Sequence, residues 1–453
     1  MTPTEVRTTA SPHPRSSPAD DGRWKAVLAF GAVAVQVATA LRVDSLSFHP
    51  ADVSFGRNAL LAGLVWFVPL ALLVLVSPNR VLESFRWPTS LLLALFGWAL
   101  VTSPWSLSPG RSAFIAAGYL AVVITVSSAV RILGPTLSLA ALATGLTVLL
   151  APGLLRWWRI AAESGLRATR LAGFTLEPNV AGQLGGLLLL IGLLLWARPR
   201  VPTPPLLLAM VIGGSTALFS QTRTTLFGLI AAAVVLVLSD RRRLRTVGPL
   251  ALVALIAVGS GVVDVSAPAR VLSRGENPQR LETLSGRTVI WSATLDRVVD
   301  GPATGTGLGS GPAFFADLAD RGEIRLIDSR SAHDLPLEIW RELGLPGLVL
   351  AAAAALAALA DGVDGDRAAV LAYLAATSLT MPTAVVPAAI ATAWVLSLTP
   401  SPGRAAESMT WSPGRERTGL TIPPRTSPMA TTTPAGTDGL TPEVEAGYWR
   451  PYS

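Results

Sequence analysis

Residues Val180 to Ala197 read VAGQLGGLLLLIGLLLWA, a stretch without one charged side chain. A helix needs roughly 20 apolar residues to cross the hydrocarbon core of a bilayer. Comparable runs recur along the chain, at Trp24–Leu41, Ala59–Val76, Ser90–Val101, Ser112–Val130, Leu133–Leu155, Pro205–Phe219, Thr224–Leu238, Val247–Val263, Leu335–Ala360, Ala368–Met381 and Ala384–Leu398. The sequence therefore predicts a polytopic membrane protein.

The composition and pattern of the runs indicate that the membrane spans are helices and not β-strands. Of the 453 residues, 51% are hydrophobic and only 14% are charged. Lipid offers no partners for backbone N–H and C=O groups, and the runs lack the alternation of a membrane β-barrel. We therefore expect an all-α fold with about twelve transmembrane helices, although three of the runs are short for a full crossing.

The distribution of arginine among the loops predicts the orientation of the chain in the membrane. With the N-terminus in the cytoplasm, the shorter outer loops are poorer in arginine than the inner loops, which carry Arg80, Arg86, Arg131, Arg198, Arg200, Arg241, Arg242, Arg243, Arg245 and Arg367. Such an excess marks the cytoplasmic side of membrane proteins. The net charge of +7 thus reflects topology and contact with anionic membrane lipids, and no nucleic-acid partner is expected.

This topology divides the chain into five parts. Residues 1–23 and 400–453 are predicted disordered cytoplasmic tails, because they are polar and lack periodicity. Residues 24–263 hold transmembrane helices 1–9, residues 264–334 form one large extracytoplasmic loop with short helices, and residues 335–399 hold helices 10–12. There is no cysteine, so disulfides and thiolate metal sites are excluded.

Three polar patches interrupt the apolar runs. They are Glu177-Pro178-Asn179, then Ser220-Gln221-Thr222-Arg223, then the loop 264–334 with Arg287 and His333. Two runs separate each patch from the next, so all three patches share one side of the membrane if every run crosses it. Arginines and a histidine on that side are suited to a phosphate-bearing lipid substrate.

Each of these residues also has a simpler interpretation. Arg223 could extend towards the interface, Arg287 could be a solvated surface residue, and His333 could be a helix cap. The segment from Arg156 to Asn179, rich in arginine and tryptophan, could be an interfacial helix, a basic collar for a lipid phosphate, or both.

Local patterns predict further structure in the large loop. Ser285 could cap a helix through Arg287 that ends before Gly301-Pro302. Its apolar stripe would consist of Ile290, Trp291, Leu295 and Val298. Residues 305–311 read GTGLGSG, which predicts a backbone-tight turn and not a nucleotide site, since no βαβ unit surrounds it. Glu338 and Arg341 are spaced to form an ion pair.

Four motifs together resemble the O-antigen ligase and O-antigen polymerase superfamily. They are Gly173-Phe174 with Glu177-Pro178-Asn179; Ser220-Gln221-Thr222-Arg223; Gly286-Arg287 with Ile290-Trp291 and the glycines at 305, 307 and 309; and Ala332-His333 followed by Gly344 and Gly347. They span about residues 170–350. The first five apolar runs match in hydrophobicity alone.

The resemblance implies a GT-C-like helical fold in the plasma membrane and a glycan donor on undecaprenyl diphosphate. It also implies transfer to a glycan, lipid or protein acceptor on the outer face, without a metal or cofactor. Arg223 and Arg287 would hold the diphosphate, and His333 would activate the acceptor. Candidate substrate-binding residues are Arg170, Glu177, Asn179, Ser220 and Asp334. The family usually has Asn where this chain has Asp334.

Other functions fit part of the pattern. A polymerase would extend the lipid-linked chain, whereas a ligase would move the finished glycan, and the sequence does not separate the two. A transporter or flippase would also have about twelve helices, but it should show two similar halves and polar groups near the middle of the bilayer.

Overall fold

The computed structural model describes residues 18–44, 55–164, 170–172, 178–198, 202–239, 287–324, 332, 334–360 and 364–378. Within these ranges the chain is helical and forms no strand. The all-α prediction is therefore confirmed for this part of the chain. Residues 240–286, the last predicted run, residues 1–17 and the predicted tail 400–453 lie outside it. Residues 18–23, which the sequence assigns to a disordered tail, belong to the first helix.

The helices are α1 (Pro18–Asp44), α2 (Phe55–Val76), α3 (Pro78–Glu83), α4 (Thr89–Val101), α5 (Pro109–Ser164), α6 (Pro178–Trp196), α7 (Thr203–Phe219), α8 (Arg223–Ser239), α9 (Arg287–Val299), α10 (Gly311–Asp320), α11 (Leu335–Ala360) and α12 (Gly365–Ser378). A 3₁₀ turn at Ser103–Trp105 connects α4 to α5. Ten of the twelve predicted runs coincide with these helices. The runs at 247–263 and 384–398 lie outside the described residues, so the total number of spans stays a prediction.

Three of the helices are long and apolar enough to cross a membrane: Pro109–Glu163, Pro178–Trp196 and Leu335–Ala360. Four more apolar helices are shorter, and they include α7 and α8. Helix α5 joins two of the predicted runs, and its helical dihedral angles are interrupted at Gly134 (φ 72°, ψ 171°). Each half of α5 exceeds the roughly 20 residues that one crossing requires.

Helix α6 is the centre of the packing. Every residue from Ala181 to Leu195 is buried, with α5, α7, α8 and α12 in contact with the helix. Glycines allow this close approach: a Cβ on Gly185 would lie 2.8 Å from the carbonyl oxygen of Gly213, and the reverse holds for Gly213. Small residues at a crossing bring helix backbones close enough for extensive van der Waals contact in a membrane.

Contacts between connections define one end of the molecule. The Ser84 and Ser128 hydroxyls are 2.9 Å apart. Arg198, just after α6, donates to the Thr136 hydroxyl and to Asp366 Oδ2 at 2.7 Å. These residues lie in or beside connections that the parity of the predicted runs assigns to the cytoplasmic side.

The opposite end of the same helices holds the polar patches. Leu107 N, before α5, donates to Thr306 O at 3.0 Å, and Ser112 Oγ donates to Leu308 O at 2.7 Å. At the far end of α5, the ring of Trp157 stacks on Phe219 with centroids 4.5 Å apart. Which end faces the cytoplasm stays a prediction.

Candidate functional site

The connection between α7 and α8 is a three-residue turn fixed against α6. Gln221 has a positive φ of 53°, which allows the chain to reverse within Ser220–Thr222. Thr222 Oγ1 donates to Pro178 O at 3.1 Å, and Leu171 N donates to Phe219 O at 3.0 Å. Arg223 is the first residue of α8, so the turn holds its backbone close to the first turn of α6.

Arg170 joins two of the three polar patches. Its Nε donates to Ser220 O at 3.1 Å, and its Nη2 donates to Asn179 Oδ1 at 3.2 Å. The Ser220 hydroxyl donates to Ala217 O at 2.8 Å, and Ser220 is fully buried. These contacts give Arg170, Asn179 and Ser220 a bracing role that sequence reasoning did not suggest. Their proposed contacts with substrate stay predictions.

The glycine-rich loop is a backbone-tight turn, as the sequence predicts, and the structure shows what the loop approaches. Gly305, Gly307 and Gly309 have φ values of 78°, 92° and 74°, which favour glycine. A Cβ at Gly305 would lie 2.5 Å from the Glu342 carbonyl carbon, and one at Gly307 would overlap Ser106. The absent side chains therefore allow contact with the protein's own helices.

Helix α11 is broken where this loop meets it. Gly344 has φ 67° and ψ −169°, and Pro346 has no N–H with which to bond the Glu342 carbonyl. Backbone groups of the loop replace the lost helical bonds. Thr306 N donates to Arg341 O at 2.9 Å, Gly307 N donates to Glu342 O at 2.8 Å, and Leu345 N donates to Ala303 O at 3.0 Å.

A further anchor of this break comes from a distant part of the chain. Trp98 Nε1, on α4, donates to Leu343 O at 2.8 Å. The Ser106 and Ser112 hydroxyls, which flank the start of α5, are 2.5 Å apart, and Ser112 also reaches Leu308. The glycine-rich loop is thus clamped between α11 and the α4–α5 connection.

Arg341 is fully buried beneath this loop. Its guanidinium donates to Glu338, to Glu342 Oε1 at 2.8 Å and to Ser310 Oγ at 3.1 Å. The Phe314 ring centroid lies 5.0 Å from Cζ, which is within cation–π range. The predicted pairing of Glu338 with Arg341 is therefore confirmed.

Glu338 also holds the residue before His333. Its Oε1 accepts from Ala332 N at 2.6 Å, and Trp291 Nε1 donates to Ala332 O at 2.6 Å. On the other side of His333, Asp334 Oδ1 accepts from Leu337 N at 2.9 Å and caps α11. Both sequence neighbours of His333 are thus fixed by named contacts.

His333 itself and Glu177 lie outside the described residues, as does the Ser285 cap. Arg287 is described as the first residue of α9, and its side chain lies outside the description as well. The structure thus brings Arg170, Asn179, Ser220 and the start of α8 together. The predicted convergence of Arg223, Arg287 and His333 on one ligand is untested.

The predicted helix in the large loop is confirmed as α9, but its buried face differs from the predicted stripe. Ile290 and Thr294 are buried, whereas Leu295 is 42% exposed. Ile290 belongs to a buried cluster with Phe315 and Leu318 of α10 and with Ala332 before α11, so the burial follows these local contacts. Hydrogen bonds from Arg297 and Arg321 on the surface hold the pKa of Asp317 below its usual value.

Comparison with known families identifies the segment that contains these features. Residues 208–352 match the family model described as O-antigen ligase. This chain carries a domain of the O-antigen ligase superfamily. A search among curated proteins found no match.

The O-antigen ligase domain contains the turn before Arg223, the start of α9 at Arg287, the glycine-rich loop and the buried Arg341. The patch at Asn179 lies before it. Together with the apolar helices, this match indicates a helical membrane protein. The matched segment covers less than half of the chain, so it does not by itself identify the donor, the acceptor or the reaction.

Proposed function

We propose that this protein is a membrane glycosyltransferase that moves a glycan from a polyprenyl-diphosphate carrier to an acceptor hydroxyl on the outer face of the plasma membrane. The observation that carries this proposal is the O-antigen ligase domain at residues 208–352. The donor, the acceptor and the choice between ligase and polymerase are parts of the proposal.

The reaction makes limited chemical demands. The oxygen of the acceptor hydroxyl attacks the anomeric carbon of the glycan, the bond from that carbon to the diphosphate oxygen breaks, and the acceptor proton passes to a base. Diphosphate is a good leaving group, so positioning and charge stabilisation dominate. Arginine remains charged and grips two oxygens at once. Histidine exchanges a proton near neutral pH.

Each proposed role follows from a residue's place in the chain. Arg223, at the first turn of α8, and Arg287, at the first turn of α9, would bind the diphosphate, because the free amides of a helix N-terminus favour an anion. His333 would take the acceptor proton. Its neighbours Ala332 and Asp334 are held by Glu338, Trp291 and the α11 cap, which supports a fixed position for the base.

The decisive experiment supplies purified protein with an undecaprenyl-diphosphate-linked glycan and candidate acceptors, and identifies the products by mass. A ligase gives a glycan joined to the acceptor, and a polymerase gives a longer glycan on its carrier. We expect His333→Ala and Arg287→Ala to abolish transfer while the melting temperature is retained. Arg321→Ala, which removes an exposed arginine after α10, is the matched control. Full activity in both site variants would contradict the assignment.

A chelator separates the proposed mechanism from one that uses a metal. Transfer should proceed at an unchanged rate in the presence of EDTA, since arginine would supply the positive charge at the diphosphate. A requirement for added Mg²⁺ or Mn²⁺ would contradict a metal-independent reaction while leaving the choice of substrate intact.

A further inference from the structure

A basic cluster lies at the end of the molecule away from the O-antigen ligase features. Arg131 precedes the break in α5 at Gly134, and Arg80 and Arg86 flank the end of α3. Arg131 lies within electrostatic range of both arginines and of Glu83. The Ser84–Ser128 hydrogen bond holds α3 against this part of α5. Arg131 thus lies near two arginines and one carboxylate.

That carboxylate is already engaged. Glu83 Oε2 accepts from Arg80 Nη1 at 2.9 Å, so it balances the arginine that is farther towards solvent. The Nε and Nη2 atoms of Arg131 are buried and have no hydrogen-bond partner in the described part of the chain. Buried donors in native proteins nearly always have an acceptor. Two donors on one edge of a guanidinium match two oxygens of a phosphate.

The surface around the cluster is apolar. Leu82, at the end of α3, is 66% exposed, and Phe85 and Trp87, on either side of the exposed Arg86, are 54% and 61% exposed. Exposed aromatic and aliphatic side chains beside arginine are typical of the headgroup level of a bilayer. A ligand here would therefore present both acyl chains and a phosphate.

We propose that Arg131, Arg80 and Arg86 form a binding site for the phosphate of an anionic phospholipid, with Leu82, Phe85 and Trp87 against its acyl chains. Arg131 binds two phosphate oxygens through Nε and Nη2, and the two outer arginines supply additional charge. The predicted topology assigns this end to the cytoplasmic leaflet, whose anionic lipids attract basic groups. The site is separate from the O-antigen ligase domain, because helix α4 and the first half of α5 run between them.

The test measures lipid binding by the delipidated full-length protein in detergent, using native mass spectrometry. Phosphatidylglycerol should bind wild type, and Arg131→Gln should weaken that binding about tenfold, as expected for the loss of a charged hydrogen-bonding group. Arg131→Lys keeps the charge but loses the paired donors, so it should also bind more weakly than wild type. Arg321→Gln removes a charge outside the cluster and should bind like wild type.

Several outcomes would overturn the proposal. Equal binding of phosphatidylglycerol by wild type and Arg131→Gln would show that Arg131 does not form the site. If wild type binds phosphatidylcholine as tightly as phosphatidylglycerol, the site has no preference for anionic lipid. Protection of the melting temperature by inorganic phosphate to the same extent as by phosphatidylglycerol would show that a free anion, not a lipid, is bound. If Arg131→Gln does not fold, Arg86→Gln tests the proposal instead, because Arg86 is exposed and its replacement should not affect folding. The Arg86→Gln variant must then bind phosphatidylglycerol more weakly than wild type.

Discussion

Arg341 is the residue on which the contacts around the glycine-rich loop converge. Its guanidinium bonds two carboxylates and Ser310, and its backbone carbonyl accepts from Thr306. A buried charge is tolerated when it is paired and its hydrogen bonds are made. Arg341 therefore links the first turns of α11 to the glycine-rich loop and α10.

Replacing Arg341 by Met should strongly destabilise the protein. The substitution leaves Glu338 and Glu342 buried without their cation, and the loss of one member of such a group lowers the free energy of unfolding by about 3–5 kcal/mol. Thermal unfolding of the variant and of wild type in detergent measures this loss of stability. Arg321→Met removes an exposed, ion-paired arginine and should change stability by less than about 1 kcal/mol. Equal losses in the two variants would contradict the role of Arg341.

Glu338 should control the rate of the proposed transfer through its bond to Ala332. Glu338→Ala removes the acceptor of Ala332 N–H, and we expect kcat to fall about 100-fold, because small displacements of a catalytic group have effects of this size. Glu338→Gln keeps an oxygen at this position and should retain more activity. KM should change little in both, since the substrate contacts proposed for Arg223 and Arg287 are untouched.

The control for this experiment is Glu323→Ala, an exposed acid after α10. It should leave kcat unchanged. A folded Glu338→Ala protein with wild-type kcat would show that the Ala332 bond does not position the base. A rise in KM at constant kcat would indicate a role in binding substrate instead.

At the scale of elements, the break in α11 is the feature that admits the glycine-rich loop. Gly344→Ala should therefore disrupt their contact. Its φ of 67° disfavours a side chain, and an added Cβ would overlap Ala303 O. We expect a loss of at least about 1–3 kcal/mol of unfolding free energy. Gly97→Ala, on α4 with open space around it, should instead be neutral or stabilising by up to about 1 kcal/mol. Similar melting temperatures for the two variants would contradict this account.

The elements show which features a sequence can predict. The end of α9 before Gly301-Pro302 follows from a local signal, and the Glu338–Arg341 pair follows from helical spacing. The bond from Trp98 to Leu343 joins residues far apart in sequence, and no local pattern indicates it. Helical spacing places Leu295 on an apolar stripe, but spacing alone does not reveal which face of α9 the neighbouring elements cover.

The candidate site was predictable to a similar degree. Polar residues between apolar runs indicated the patches around Asn179 and Ser220, and the structure brings these two together through Arg170. The bracing use of Arg170 was missed, because an arginine for substrate and an arginine for backbone carbonyls have the same signature in sequence. Whether Arg287 and His333 join them stays a prediction.

At the scale of the whole molecule, the predicted topology places the two ends of the helices on opposite sides of the membrane, and this can be tested by labelling. Because the chain has no cysteine, a single introduced cysteine is the only thiol of the purified protein that a maleimide can label. Glu323→Cys, near α10, should react with a membrane-impermeant maleimide in intact cells. Asn79→Cys, an exposed position on α3, should react only after the membrane is opened. The reverse pattern would invert the predicted topology, and labelling of both in intact cells would contradict the separation of the two ends.

The enclosure of α6 has a consequence for how this protein is made. From Ala181 to Leu195 the helix is buried among other helices, so we expect its leucines to contact lipid during insertion and protein afterwards. Helix α6 is synthesised before α7, α8 and α12. Until those helices are inserted, we expect its surface to contact lipid. A lipid-borne photoreactive probe should therefore label this segment in a truncated nascent chain and leave it unlabelled in the mature protein.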